Sequence, residues 1–259
     1  MASLEAAARA ARGRLGRPCR YVRECASTQD LLRDPALPHG AVAVAEHQTA
    51  GRGRSGRRWE DAPGTALLCS ALLRPAPGAS LPELSLVVAL GAARAIEAAA
   101  GRRALVKWPN DVLVEGRKVA GILLEGREGA VVAGIGVNVN QAEGSLPTGA
   151  PTPAGSLRTV TGREHDRGAL FTALLEEIDA AFTRWERGGL AELLPELEQR
   201  NALRGRRVES SAGRGTAGPL APDGRLRVLL DDGGERLLAS GEVVLAPASS
   251  DAVPESRAP

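Results

Sequence analysis

Apolar residues fall in short runs separated by polar, glycine-rich stretches, interrupted by one long segment with helical spacing. Runs at 41–46 and 65–73 predict strands, with the polar segment 48–64 as a long loop between them. Residues 81–100 are apolar at helical spacing, with Pro82 at the start and Gly101 as a stop signal, and predict a helix. Further runs at 104–108, 112–114, 118–125 and 130–137 predict strands, with 115–117 as a hairpin turn. The stretch 141–156, rich in Pro, Gly, Ser and Thr, predicts a loop, and 166–186 and 190–199 predict amphipathic helices. Strands followed by helices predict an α+β fold: a mixed, mostly antiparallel sheet packed with helices.

Beyond residue 204 the pattern changes. Short runs at 207–209, 215–218, 226–230, 236–238 and 243–245 alternate with turn signals at 222–224 and 231–234, which predicts a small β-barrel or sandwich. The expected division is a larger domain over 1–203, a small β domain over 204–247 and a disordered tail over 248–259. Residues 1–19 are expected to be a flexible tail, with a short helix possible over 2–12.

Composition narrows the function classes. The net charge of +2 argues against a dedicated nucleic-acid binder. No apolar run reaches membrane-span length and the first residues lack the apolar centre of a secretory signal, so the expectation is a cytoplasmic protein with no membrane partner. Three cysteines without C-x-x-C spacing suit neither a disulfide framework nor a zinc site, and the three histidines converge on no ligand set, so no protein-held metal is expected.

Charge chemistry is more informative. Of 33 basic residues only two are lysines, Lys107 and Lys118, and they lie close together in the chain. Arginine is a rigid planar fork and lysine a compact point charge with a shiftable pKa, so the pair suggests a phosphate or carboxylate site; coincidence in a skewed composition is the alternative. The loop 48–59 sets four arginines among three glycines. Glycine lets backbone approach a ligand and arginine supplies charge-assisted hydrogen bonds, so the loop is suited to close over an anion. Its spacing matches neither a P-loop nor Gly-x-Gly-x-x-Gly; a solvated basic loop or an RGG-like nucleic-acid contact is the competing reading.

Four blocks in order, Gly51-Arg-Gly-Arg-Ser-Gly-Arg-Arg-Trp59, Lys107-Trp-Pro-Asn-Asp111, Lys118-Val-Ala-Gly-Ile-Leu-Leu-Glu125 and Gly134-Ile-Gly-Val-Asn138, resemble biotin-protein ligases. Ser27-Thr28-Gln29 resembles the segment that opens the biotin site in that family, with glutamine where asparagine is common, and 204–247 resembles its SH3-like C-terminal domain. The resemblance spans roughly 20–247. It implies a class II synthetase-like, biotin/lipoyl ligase-like fold and an enzyme that activates biotin with ATP, accompanied by Mg²⁺, to biotinyl-5′-AMP. Biotin then passes to one lysine of a carboxyl carrier protein or carrier domain of a biotin-dependent carboxylase.

The resemblance also implies roles. Arg52, Lys118, Lys107 and Asp111 would serve the reaction: Arg52 and Lys118 at the biotin carboxylate and reacting phosphate, Asp111 as the acceptor for the incoming amine's proton or, alternatively, a turn residue. Biotin would meet Ser27, Thr28, Gln29, Gln48, Gly51, Arg52, Lys118 and Gly121. ATP or the adenylate would meet Arg52, Gly53, Arg54, Arg57, Trp59, Asn110, Gly136 and Asn138, with a plain core role for Trp59 equally open. The 48–60 loop would order over the labile mixed anhydride and exclude water. Rival readings are a lipoate or octanoate ligase, disfavoured by Gly51-Arg-Gly-Arg, and a non-enzymatic biotin or nucleic-acid binder. A DNA-binding regulator is not expected because the region before Tyr21 is too short for a helix-turn-helix. A monomer is the expected state, with a dimer as the alternative.

Overall fold

The computed structural model describes residues 3–246; the tail expected over 248–259 lies outside the described residues. Helix α1 (Leu4–Ala10) precedes β1 (Cys19–Cys25), a 3₁₀ turn (Thr28–Leu32), β2 (Val42–Gln48) and β3 (Ala66–Leu73). Helix α2 (Leu81–Ala100) leads to β4 (Ala104–Lys107), β5 (Asp111–Val114), β6 (Arg117–Arg127) and β7 (Ala130–Asn138). Three helices follow, α3 (Leu157–Thr161), α4 (Arg167–Gly188) and α5 (Leu194–Gln199). The strands β1 to β7 make one sheet in the order β1-β2-β3-β7-β6-β5-β4. Only the β1–β2 pair is parallel; every other neighbour is antiparallel. The fold is therefore the mixed, mostly antiparallel α+β sheet that the run lengths predict.

Local chemistry sets the helix limits. Ser80 caps α2 by accepting the Glu83 N–H at 3.3 Å, Pro82 occupies the first turn where no donor is needed, and Gly101 ends the helix at φ 62°. Asp166 caps α4 in the same way, accepting from Ala169 N at 3.0 Å. The two helices cross closely because α2 carries Gly91, where a Cβ would stand 2.6 Å from Ile178 Cα. Together they cover one face of the sheet, burying Leu67, Ile122, Ile135 and Val137 in the main core with Leu90, Ile96, Phe171 and Phe182. The expected helix over 190–199 is broken into a 3₁₀ turn (Leu190–Glu192) and α5. Pro195 explains the break, since its ring cannot follow a preceding helical turn.

The N-terminal segment is a correction to the expected flexible tail over 1–19. Residues 3–19 are folded: α1 packs on α4 with Leu4 and Leu15 buried, and Arg14 donates to Thr183 and Glu186. Apolar Leu4, Ala7 and Ala8 on one face supply the anchoring surface that the Ala/Arg composition conceals.

A polar network ties α2, α4 and α5 together. Glu196 accepts from Arg94 Nε at 2.8 Å, Arg184 Nη1 at 3.3 Å and Arg200 Nε at 3.4 Å. The hydrogen bond from Arg94 leads in lowering Glu196 from an ordinary 4.5 to about 2, against the opposing effect of burial. A depressed carboxylate stabilises the fold above its unfolded pKa and loses that contribution as pH falls through the folded value. Glu196→Gln is therefore expected to cost about 2 kcal/mol at neutral pH, with the gap to the parent closing between pH 4.5 and about 2. Urea denaturation across that window checks it; a pH-independent gap would contradict it.

Strands β8 (Arg207–Ser210), β9 (Gly213–Leu220), β10 (Leu226–Leu230), β11 (Glu235–Leu238) and β12 (Val244–Leu245) form a second, SH3-like sheet in the order β11-β10-β9-β8-β12. It is joined to the first by a buried hydrogen bond from Trp108 Nε1 to Gly224 O at 2.9 Å. Among the described residues no helix is long and apolar enough to cross a membrane. The three cysteines are free thiols, and burial pushes Cys19 up to about 11.

Candidate functional site

Strand register places the chemistry. Lys107, Asp111, Gly121, Gly136 and Leu68 stand opposite one another in a single row across β4, β5, β6, β7 and β3. Directly paired residues share a sheet face, so this row lies away from the α2 and α4 side. One step along, Leu123, Gly134 and Ser70 form a second row on the same face. Glycines at 121, 134 and 136 remove side chains where any would fill the floor. Trp59 lies on two of them: a Cβ at Gly136 would meet the indole at 2.5 Å and one at Gly121 at 3.0 Å. Gln29 covers the third, 2.9 Å from a Cβ at Gly134.

The result is a cleft of about 230 Å³. Every residue singled out from the sequence lines it except Gly51. That residue is buried behind the arginine loop, its carbonyl accepting from Trp59 N at 3.0 Å, and a Cβ there would stand 2.6 Å from Trp59 O. Gly51 lets the loop close into a hairpin, with Gly53 N donating to Arg57 O at 2.7 Å and Ser55 held at φ 57°.

One end of the cleft is neutral and polar. Ser27, Thr28 and Gln29 are buried at the start of the 3₁₀ turn. Gln48 Oε1 accepts from Thr28 N at 2.7 Å and from Thr28 Oγ1 at 3.1 Å, which leaves Ser70 as the donor across the 2.7 Å Ser70–Thr28 hydroxyl contact. Gln29 Nε2 donates to Leu123 O at 3.2 Å. Gln48 thus holds the turn in shape, and Ser70, which the sequence reading passes over, is its buried support. Its signal was a single hydroxyl inside the apolar run 66–73.

The other end is cationic. Among the described residues Arg52, Arg54, Arg57, Arg58, Lys107 and Lys118 line the cleft against only Glu60, Asp111 and Glu242. Lys118 Nζ lies 2.7 Å from Asp111 Oδ1, an ion pair rather than an aligned hydrogen bond. Lys107 is 6 % exposed; burial pulls its ammonium below the ordinary lysine range, Asp111 opposes the shift and Lys118 adds to it. Arg54 donates to Asn110 Oδ1 at 3.0 Å while Asn110 Nδ2 is anchored on Ile122 O at 2.8 Å. Asn138 lines the cleft, but its amide is used within the protein, donating to Gly155 O at 2.9 Å and accepting from Gln141 Nε2 at 3.0 Å.

Two walls come from segments the sequence reading left without a role. The 141–156 segment pairs with Lys118, whose N–H donates to Pro153 O at 2.8 Å and whose carbonyl accepts from Gly155 N at 2.9 Å, and it lends Pro147, Ala150, Thr152 and Ala154 to the lining. The approach to β12 lends Gly241, Glu242 and Val243. Arg57 donates to Glu242 at 2.8 Å, and that bond leads in lowering the Glu242 carboxyl. No local motif marks these residues; tertiary packing brings them in. The whole arrangement offers a neutral hydrogen-bonding end, a flat floor under an indole and a strongly cationic end, which suits a ligand with a small polar head and an anionic group that meets a polyphosphate.

Residues 22–141 match the Biotin/lipoate A/B protein ligase family. A bifunctional ligase/repressor of Bacillus spizizenii is 38% identical over 170 residues, covering 62% of this chain and 52% of that protein, so the chain spans about half its length. A biotin–[acetyl-CoA-carboxylase] ligase of Mycobacterium tuberculosis is 35% identical over 214 residues, covering 79% of each. In three dimensions the chain superposes on a biotin protein ligase of Aquifex aeolicus, solved with biotin and ATP, with TM-score 0.79 and 31% identity over 88% of this chain and 98% of that one. The cleft, the strand order and these similarities agree, and the chain belongs to the biotin protein ligase family.

Proposed function

We propose that this protein activates biotin with ATP to biotinyl-5′-adenylate and transfers the biotinyl group to a lysine of a carrier domain of a biotin-dependent carboxylase. The observation that carries the reading is the single row of Lys107, Asp111, Gly121 and Gly136, with Lys118 beside it and Trp59 above, open at a cationic end. In the first step a carboxylate oxygen attacks the α-phosphorus, a P–O bond forms and pyrophosphate leaves. Two anions must approach, so cations aimed at the reacting centre lower the barrier. Arg52 and Lys118 are assigned to the carboxylate and α-phosphate, Arg54, Arg57 and Lys107 to the polyphosphate side, and Asn110, Gly53, Gly136 and Asn138 to the nucleotide wall.

In the second step the neutral amine of the acceptor attacks the acyl carbon and AMP leaves. Asp111 is assigned to take or orient the amine's proton once Lys118 turns to the adenylate. Ser27, Thr28, Gln29 and Gln48 are assigned to the ureido head, which must find partners for all its donors and acceptors when buried. Magnesium would arrive with the ATP phosphates. Among the described residues no group of three metal-ligating side chains is assembled, and Glu60, Asp111 and Glu242 are the acidic groups such an ion would meet. We place the protein in the cytoplasm, acting as a monomer.

Incubation with ATP, biotin and a purified carrier domain tests this reading. Avidin-detectable label should appear on the carrier, require ATP and vanish when the acceptor lysine is replaced by arginine. Absence of label with a competent acceptor would sink the proposal.

A further inference from the structure

Arg52 does not stand free in the cleft. Its Nη1 and Nη2 bind both oxygens of Asp30 at 3.1 Å each, and its Nε donates to Glu125 Oε1 at 3.0 Å. A guanidinium carries five N–H donors, so these bonds leave two uncommitted. Both carboxylates are themselves held. Asp30 also meets Arg33, and Glu125 meets Arg127 at 3.6 Å. Burial would raise the Asp30 carboxyl, but Arg52 and Arg33 outweigh it and keep the group ionised. Neither carboxylate lines the cleft, whereas Arg52 does.

Asp30 follows Gln29 in the 3₁₀ turn that begins with Thr28, and Glu125 lies two residues after Leu123, whose carbonyl holds Gln29. The polar end of the cleft and Arg52 are therefore parts of one braced unit. A long, flexible arginine side chain loses much rotamer freedom when it meets a ligand, and fixing it beforehand removes that cost.

We infer that Asp30 and Glu125 are positioning residues: they brace Arg52 so that one of its remaining donors is ready for the ligand carboxylate, and they couple recognition of the head group to that contact. This inference rests on the assignment of Arg52 to the carboxylate of biotin. Asp30→Asn and Glu125→Gln keep size and shape while removing charge. Each is expected to weaken biotin binding about tenfold and to leave binding of the neutral carboxamide of biotin unchanged. In an Arg52→Ala background neither should weaken biotin further, because the braced group is gone.

Equilibrium binding of the two ligands to the parent, the single variants and the double variants reads all of this. Equal loss for biotin and its carboxamide would mean a structural role only and overturn the inference. Tighter biotin binding would overturn it in the other direction, making the carboxylates competitors for Arg52. Additive losses in the Arg52→Ala background would also overturn it. If the parent binds neither ligand, the proposed function itself fails, a result distinct from each of these.

Discussion

Lys118→Ala is expected to slow formation of the acyl-adenylate by about 100- to 1,000-fold, the loss that follows removal of one preorganised charge from a reacting centre. The side chain is placed for this by its backbone, which is clamped on both sides by the 153–155 segment. Its ammonium is only partly exposed and lies 2.7 Å from Asp111. Removing it takes from Asp111 its ion-pair partner and leaves Lys107 and Arg54 as the cations acting on it, so the variant loses a cation and exposes more of an anion where the proposed reaction would bring a carboxylate to a phosphate. Lys118→Arg keeps the charge but replaces a compact ammonium with a planar fork, and is expected to recover only part of the rate. Single-turnover release of pyrophosphate measures the step, and biotin binding measured alongside separates chemistry from affinity. An unchanged rate in Lys118→Ala would remove this residue from the reacting centre.

Gly136→Ala is expected to weaken ATP binding by about 10- to 100-fold, corresponding to an overpacking cost of about 1–3 kcal/mol. The added methyl would stand 2.5, 2.6 and 2.9 Å from three atoms of the Trp59 indole. Such contacts require the ring to move, and with it the arginine loop that it anchors. The helix-covered face of the sheet is untouched, so thermal stability should fall far less than affinity. Gly144→Ala is the matched control, because nothing lies within 4 Å of a Cβ there and no positive φ is involved. Isothermal titration with ATP, together with tryptophan fluorescence, decides the matter. Equal affinities for the two variants would show that the glycine floor is not where the ligand lies.

The limits of α2 were legible because Pro82 and Gly101 each do something a helix end requires. Strand β1 was not. It is an edge strand paired only with β2, its residues alternate irregularly between partial and full exposure, and its arginines hide the apolar signal. The same contrast holds in the cleft. Residues in contiguous blocks, such as Lys107 to Asp111, announced themselves, because a hairpin and its register place neighbours in sequence on neighbouring strands. Glu242 belongs to no block and arrives through packing between distant segments, as does Ser70, which supports the cleft through Thr28. Gly51 was legible as a glycine of the arginine loop, but not that a Cβ there would meet the Trp59 backbone, which the hairpin brings alongside. The arginine loop itself was read as a closing element, and its hairpin form, with Arg57 reaching Glu242, links it to the second sheet in a way that no spacing rule encodes.

The proposed reaction joins the carboxylate of biotin to AMP in this cleft. Exchange of labelled pyrophosphate into ATP, run with biotin, with lipoate, with octanoate and with no acid, tests it most directly. Exchange is expected with biotin alone, slowed by about 100- to 1,000-fold in Lys118→Ala. Exchange driven by lipoate or octanoate in place of biotin, or no exchange with any acid, would contradict it.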